Sequence, residues 1–351
     1  MKISTQLSLE QKIAQMIVLG FSGPAVEDHP SILHEIRDLG IGGLIIFDRD
    51  MVGNKPVNNV QDPYQLKGLI AEAQAQAAIP LFISIDQEGG RVARLRLDKG
   101  FMEFPSHKKL GEINDVDYTY QVTLAHARML KWLGINVNYG PVVDISVNLD
   151  NPIVHGKERS FGQSVETVNE QALAFSKAML EEGILNCLKH FPGHGSSTTD
   201  SHLGMTDITD TWSEQELEPY KYLMDNDACA MVMIGHLMLK QFDEKLPSSL
   251  SKVMMDALLK EKLGYNGLVT TDDLQMRALS DHYNLKEILV MAINAGSDMV
   301  IFGNNLLPEY ISAQLIIDTL LEAIGEGLIT EERINQSFER IISAKQKHLV
   351  K

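Results

Sequence analysis

Eight short apolar runs recur along this chain of 351 residues, at 16–21, 43–47, 80–86, 135–145, 186–192, 229–236, 267–274 and 299–303. Each is mostly continuous in Val, Ile, Leu or Met and bounded by Gly, Pro or a polar residue. That is the pattern of a parallel strand buried on both faces. The stretches between them have helical period. Ala172, Phe175 and Met179 share one face and Gly183 follows as a stop, while Ile334, Phe338, Ile341 and Ile342 form a stripe behind Thr330, an expected N-cap. Ser8-x-x-Gln11 and Ser213-x-x-Glu216 have capping-box spacing ahead of two further helices. Strands alternating with helices in this number predict a (β/α)8 TIM-type barrel, a fold of roughly 250 residues with room for insertions. The alternative is an open doubly wound sheet, which predicts a Gly-rich phosphate loop after an early strand. Neither GxGxxG nor GxxxxGK[ST] occurs, so the barrel is the expectation, with residues 1–351 as a single domain.

Composition narrows the function classes. Lys and Arg total 31 against 47 Asp and Glu, a formal charge of −16, which repels phosphate backbones and anionic lipids. Nucleic-acid and membrane partners are therefore not expected. With 44% hydrophobic and 22% charged residues the chain can bury a sizeable core. Two cysteines, Cys187 and Cys229, are too few for a disulfide scaffold or a Cys-rich zinc site. The first residues lack a signal-peptide apolar region and no run reaches the ~20 apolar residues of a membrane span, so a soluble, cytoplasmic protein is expected. Three loops, 48–62, 95–105 and above all 193–211, are long enough to carry function.

In a barrel, chemistry sits at the C-terminal ends of the strands. Several runs end there in residues that are costly to bury: Asp86, Lys189-His190, His236 and Asp272-Asp273. Any one of them can be a cap or a structural ion pair; their convergence points to a site. After Lys189-His190 a loop punctuated by Pro192, Gly193 and Gly195 presents Asp200 and His202. A carboxylate two positions before a histidine can hydrogen-bond the imidazole and raise its pKa, suiting it to proton transfer near neutrality. The same two residues can equally serve as turn formers. Of the adjacent acids Asp272 and Asp273, one can face the barrel mouth as a nucleophile while the other caps the next helix.

Lys189-His-Phe-Pro-Gly-His-Gly195 followed by Asp200-Ser-His202 is similar to the signature loop of family 3 glycoside hydrolases, and more narrowly to their β-N-acetylglucosaminidase branch (NagZ-like enzymes). Asp86-Gln-Glu-Gly-Gly-Arg-Val-Ala-Arg94, Glu158-Arg-Ser-Phe-Gly162 and Thr271-Asp-Asp-Leu-Gln-Met276 resemble further motifs of that family in the expected order. The resemblance implies a barrel, a retaining β-glycosidase and no metal or organic cofactor. It implies Asp272 as nucleophile, His202 as acid/base held by Asp200, and Asp86, Arg94, Arg159, Lys189 and His190 as contacts to the non-reducing sugar. The implied substrate is a small carbohydrate with terminal β-linked N-acetylglucosamine, as in peptidoglycan fragments or chito-oligosaccharides. A β-glucosidase or β-xylosidase, or a phosphorylase using phosphate in place of water, are the alternatives within the family. More remote ones are a non-catalytic carbohydrate-binding barrel and a metallohydrolase using His190, His194, Asp200 and His202 with Asp272 as a bridging carboxylate.

Overall fold

Every one of the eight apolar runs supplies a strand. The computed structural model of the chain describes residues 6–27, 29–199 and 204–350. Its strands are β1 (Ile17–Leu19), β2 (Gly43–Ile46), β3 (Phe82–Ile85), β4 (Val137–Asn138), β5 (Leu185–Phe191), β6 (Thr206–Asp207), β7 (Met231–Ile234), β8 (Leu237–Met238), β9 (Leu268–Asp273) and β10 (Met299–Phe302). Eight of them close into a barrel in the order β1-β10-β9-β7-β5-β4-β3-β2, all neighbours parallel. This is the (β/α)8 barrel that the sequence predicts. The short strands β6 and β8 pair with each other outside it.

The register decides where the polar residues go. Ile46 lies beside Ile85, Ile85 beside Asn138 and Ile234 beside Thr271, so the strands end level and the residues after them collect on one rim. β3 and β9 stand on opposite sides of the barrel, four places apart in the ring, and β5 lies midway between them. Residues Asp86, Lys189 and Asp272 therefore converge on one opening from three directions.

Helical faces follow the apolar stripes. The helix Val165–Glu181 buries Ala172, Phe175 and Met179, is capped by Ser164 onto Thr167, and gives way to Gly183 at φ 80°. The last helix, Glu331–His348, starts on Thr330, whose side chain accepts from the Arg333 amide, and buries Ile334, Phe338, Ile341 and Ile342. At Ser8 and Gln11 both bonds of the capping box form. The second expected box does not. Ser213 makes no capping bond; a 3-10 turn, Glu214–Leu217, leads into the helix Glu218–Asp225, and the Glu216 carboxylate turns away to other amides. Among the described residues no helix is long and apolar enough to cross a membrane. Both cysteines are free, Cys187 buried and Cys229 partly so.

Under the opposite end of the barrel, Lys345 of the last helix is fully buried. Its Nζ donates to Gln15 Oε1 and to the Gly42 carbonyl, each at 2.8 Å, and stands 4.9 Å over the Phe82 ring. Gln15 in turn donates to the Gly40 carbonyl, so one amine ties the C-terminal helix, the first helix and the start of β2. None of those hydrogen-bond partners is a carboxylate, and burial pushes the Lys345 amine down to about 7. The unfolded chain, with an ordinary lysine near ~10.4, then binds the extra proton between these values, so this group adds stability as pH rises through that window. Lys345→Met should therefore lose ground against the parent from pH 7 to pH 10, with a slope approaching about 1.4 kcal/mol per pH unit in urea denaturation. A pH-independent difference would refute it.

Candidate active site

The rim encloses a cavity of about 360 Å³, within the size range of small-ligand sites. Ile45, Tyr139, Met233 and Ile301 give it an apolar lining, and Asp86, Glu88, Arg94, Arg159, Lys189, His190, Asp272 and Asp273 supply its polar groups. From loop 48–62 come Asp48, Arg49 and Met51, and from loop 95–105 Arg96, which pairs with the buried Asp48.

One wall is a set of mutually compensated charges. Lys189 Nζ sits 2.8 Å from Asp86 Oδ1 and 2.7 Å from Glu88 Oε1. Arg159 grips Glu88 with two bonds, Nε to Oε2 and Nη2 to Oε1, both 2.8 Å. Arg94 Nη2 donates to Asp86 Oδ2 at 3.1 Å. Burial alone would neutralise such groups. The Lys189 and Arg94 charges overcome it and hold Asp86 down at about 2. Arg159 and Lys189 likewise hold Glu88 well below the carboxylate range, and the two acids keep Lys189 above its ordinary value against the same burial. The wall thus stays ionised and presents charged donors and charged acceptors side by side. Hydroxyl groups, which donate and accept at once, suit such a surface.

A second chain of contacts stands behind the wall. His190 gives Nδ1–H to Asp144 Oδ2 at 2.7 Å, and its Nε2 accepts from Arg159 Nη2 at 2.9 Å. Both ring nitrogens are thereby engaged, and the histidine lines the cavity while orienting Arg159. The Lys189–His190 peptide is cis.

Across the opening the two adjacent acids separate by partner. Asp273 Oδ1 accepts from the amides of Gln275 at 3.0 Å and Gly303 at 3.2 Å, fastening the end of β9 to the end of β10. Its backbone carbonyl accepts from His236 Nε2 at 3.1 Å, which gives that strand-end histidine a structural task. Asp272 receives the amide of Asp273 at 2.8 Å and lines the cavity.

All of Asp86, Arg94, Arg159, Lys189, His190 and Asp272 are brought to this one cavity. Asp200 and His202 lie outside the described residues. The turn leading toward them packs beside the site, and Trp212 anchors it by donating Nε1–H to the Pro192 carbonyl at 3.0 Å. Among the described residues no cluster of His, Cys, Asp and Glu is arranged to hold a metal ion. Sequence reasoning missed Glu88, Asp144 and Tyr139. Glu88 stood inside the quoted Asp86–Arg94 motif, and Asp144 was an acid within an otherwise apolar run; both were signals of a buried partner.

The two acids at the end of β9 make a direct comparison. Asp273→Ala strips two backbone amides of their acceptor and should cost about 1–3 kcal/mol of stability, whereas Asp272→Asn should cost under about 1 kcal/mol. Urea denaturation of both variants checks this; equal losses would contradict the division of roles.

Comparison with known proteins agrees with the barrel fold. A family model, the glycosyl hydrolase family 3 N terminal domain, matches residues 8–344. Beta-hexosaminidase A of Pseudoalteromonas piscicida is 31% identical over 345 residues, covering 91% of this chain and 55% of that protein. Beta-hexosaminidase LpqI of Mycobacterium tuberculosis is 31% identical over 353 residues, covering 98% of this chain and 84% of that protein. The solved structure of a glycoside hydrolase family 3 beta-N-acetylglucosaminidase from Paenibacillus sp. str. FPU-7 superposes with a TM-score of 0.87 at 33% identity, covering 98% of this chain and 63% of that one. This chain thus spans little more than half the length of the first of these relatives. On the match of its motifs, its fold and nearly its whole length, the chain belongs to glycosyl hydrolase family 3.

Proposed function

We propose that this chain is a retaining β-N-acetylglucosaminidase, with residues 1–351 acting as one catalytic domain, that releases terminal β-linked N-acetylglucosamine from peptidoglycan fragments or chito-oligosaccharides. The observation that carries the reading is the division between the two walls of the cavity. Asp272 and Asp273 both border the cavity on the β9 side, Asp273 with its Oδ1 held by the amides of Gln275 and Gly303, and the ionised Asp86–Lys189–Glu88–Arg159 set stands on the β3 and β5 side. The names of the relatives support the sugar assignment.

In this reading the sugar lies between the walls. Asp86 accepts from its hydroxyls, and Lys189, Arg94 and Arg159 donate to them, with His190 fixing Arg159. Retention requires a nucleophile on one face of the anomeric carbon and a proton donor at the leaving oxygen. An Asp272 oxygen attacks the anomeric carbon as the glycosidic C–O bond breaks, and His202, kept protonated by Asp200, gives its proton to the departing oxygen. Water then attacks the same carbon, His202 takes its proton, and the bond to Asp272 breaks to release the sugar with β configuration. No organic cofactor enters these steps.

Aryl β-N-acetylglucosaminides test the reading. Asp272→Asn should lower kcat by about a thousandfold or more, and azide should restore turnover as the α-glycosyl azide. Alanine at His202 should hurt substrates with poor leaving groups far more than activated ones in the first step. Absence of azide rescue in a folded Asp272 variant, or equal losses on both substrate types at His202, would contradict the assignment.

A further inference from the structure

The expected capping box that fails to form leaves a glutamate with another task. Glu216 is 1% exposed and sits beneath the turn that follows β5. Its Oε2 accepts from the amide of Gly195 at 3.0 Å and of Ser196 at 3.3 Å, and Oε1 is buried with no hydrogen-bond partner. The fit is close. A Cβ on Gly193, whose φ is 124°, would lie 2.6 Å from the Glu216 Cβ, and one on Gly195 would lie 1.7 Å from the Ile145 carbonyl oxygen. On its other side the turn is held by Asn151, which donates to the His194 carbonyl at 2.8 Å, and by Asn148, which donates to the Ser197 carbonyl at 2.9 Å. The His194 amide, between the glutamate-bound amides and β5, donates to Asp144 at 2.8 Å. Asp144 is the carboxylate that orients His190, and His190 receives Arg159 at the cavity wall.

We propose that Glu216 is a positioning residue for the reaction: its buried carboxylate holds the turn at 193–197 through two amides, and the turn sets Asp144, His190 and Arg159 at the cavity. The proposal rests on the glycosidase reading above. The same turn leads along the chain to Asp200 and His202, so the acid/base segment starts from the backbone that Glu216 fixes.

The titratable groups coupled to Glu216 are Asp144 from the β4–β5 connection and Tyr220 of the next helix, and His190 and His194 act in turn on Asp144. Asp144 is kept ionised by His190 against its burial, burial holds His194 down at about 4, and burial raises Tyr220 well above its ordinary value. Burial, with the Asp144 charge adding to it, pushes Glu216 up to about 7. Glu216 therefore exchanges a proton near neutrality, and protonation weakens its hold on the two amides.

The pH profile of kcat on an aryl β-N-acetylglucosaminide separates positioning from mere support. The parent kcat should rise at least about threefold from pH 6 to pH 8 through this group, and Glu216→Gln, neutral throughout, should lose that rise. A ratio of parent to variant kcat that stays constant with pH would overturn the proposal. Should the variant not fold, amide hydrogen exchange of the parent decides: corrected for intrinsic rates, protection of the Gly195 and Ser196 amides should fall at least about fivefold from pH 8 to pH 6, and unchanged protection would overturn it. Absence of turnover by the parent defeats the glycosidase reading and the proposal with it, which differs from turnover with parallel profiles.

Discussion

The structure depends on one buried electrostatic arrangement, in which Lys189 bridges Asp86 and Glu88 while Arg159 grips Glu88 from the other side. Each of these charges alone would be strongly unfavourable at the mouth of an apolar barrel. Together they neutralise one another and draw three separate pieces of chain, the end of β3, the strand β5 and the segment at 159, into one wall. The same pairing keeps every member ionised, so stability and ligand recognition rest on the same contacts. A wall of fixed charges whose sum is small can offer strong hydrogen bonds to a neutral ligand without a net field that attracts anions.

Behind that wall the fold repeats the device with fewer charges. Asp144 is buried and accepts from the amides of His190 and His194 and from the His190 ring. The turn from Pro192 to Ser197 is then matched group by group: Trp212 on the Pro192 carbonyl, Glu216 on two amides, and Asn148 and Asn151 on carbonyls. Side chains from distant segments thus define a piece of backbone that no regular secondary structure supports. It lies directly before the segment that carries Asp200 and His202.

The barrel was legible because a strand buried on both faces writes a continuous apolar run, and all eight runs contain a strand. The stripes at Ala172–Phe175–Met179 and Ile334–Phe338–Ile341 were legible for the matching reason at helical period. That Asp86, Lys189, His190 and Asp272 meet at one cavity was legible because polar groups at strand ends stand out against apolar sequence. The remainder was hidden by distance along the chain. Glu88 needs Arg159, 71 residues away, and nothing local marks the pair. Spacing could not choose between Asp272 and Asp273; the amides of Gln275 and Gly303, which claim Asp273, exist as a pair only once β9 and β10 lie side by side. Ser213 and Glu216 satisfy a local capping rule, yet a tertiary demand for an acceptor beneath Gly195 overrides it. Local rules broken in this way mark places where the fold serves the site.

The central claim is that Asp272 forms a bond to the sugar opposite the ion-paired wall, and it can be read from the mass of the protein. An activated 5-fluoro-N-acetylglucosaminyl fluoride, which slows turnover of a glycosyl-enzyme, should add one sugar mass per chain, and peptide mapping should place it on Asp272. A label on Asp273 would contradict the division of the two acids. Turnover of the reagent with no protein adduct would indicate attack by the sugar's own acetamide and contradict the mechanism.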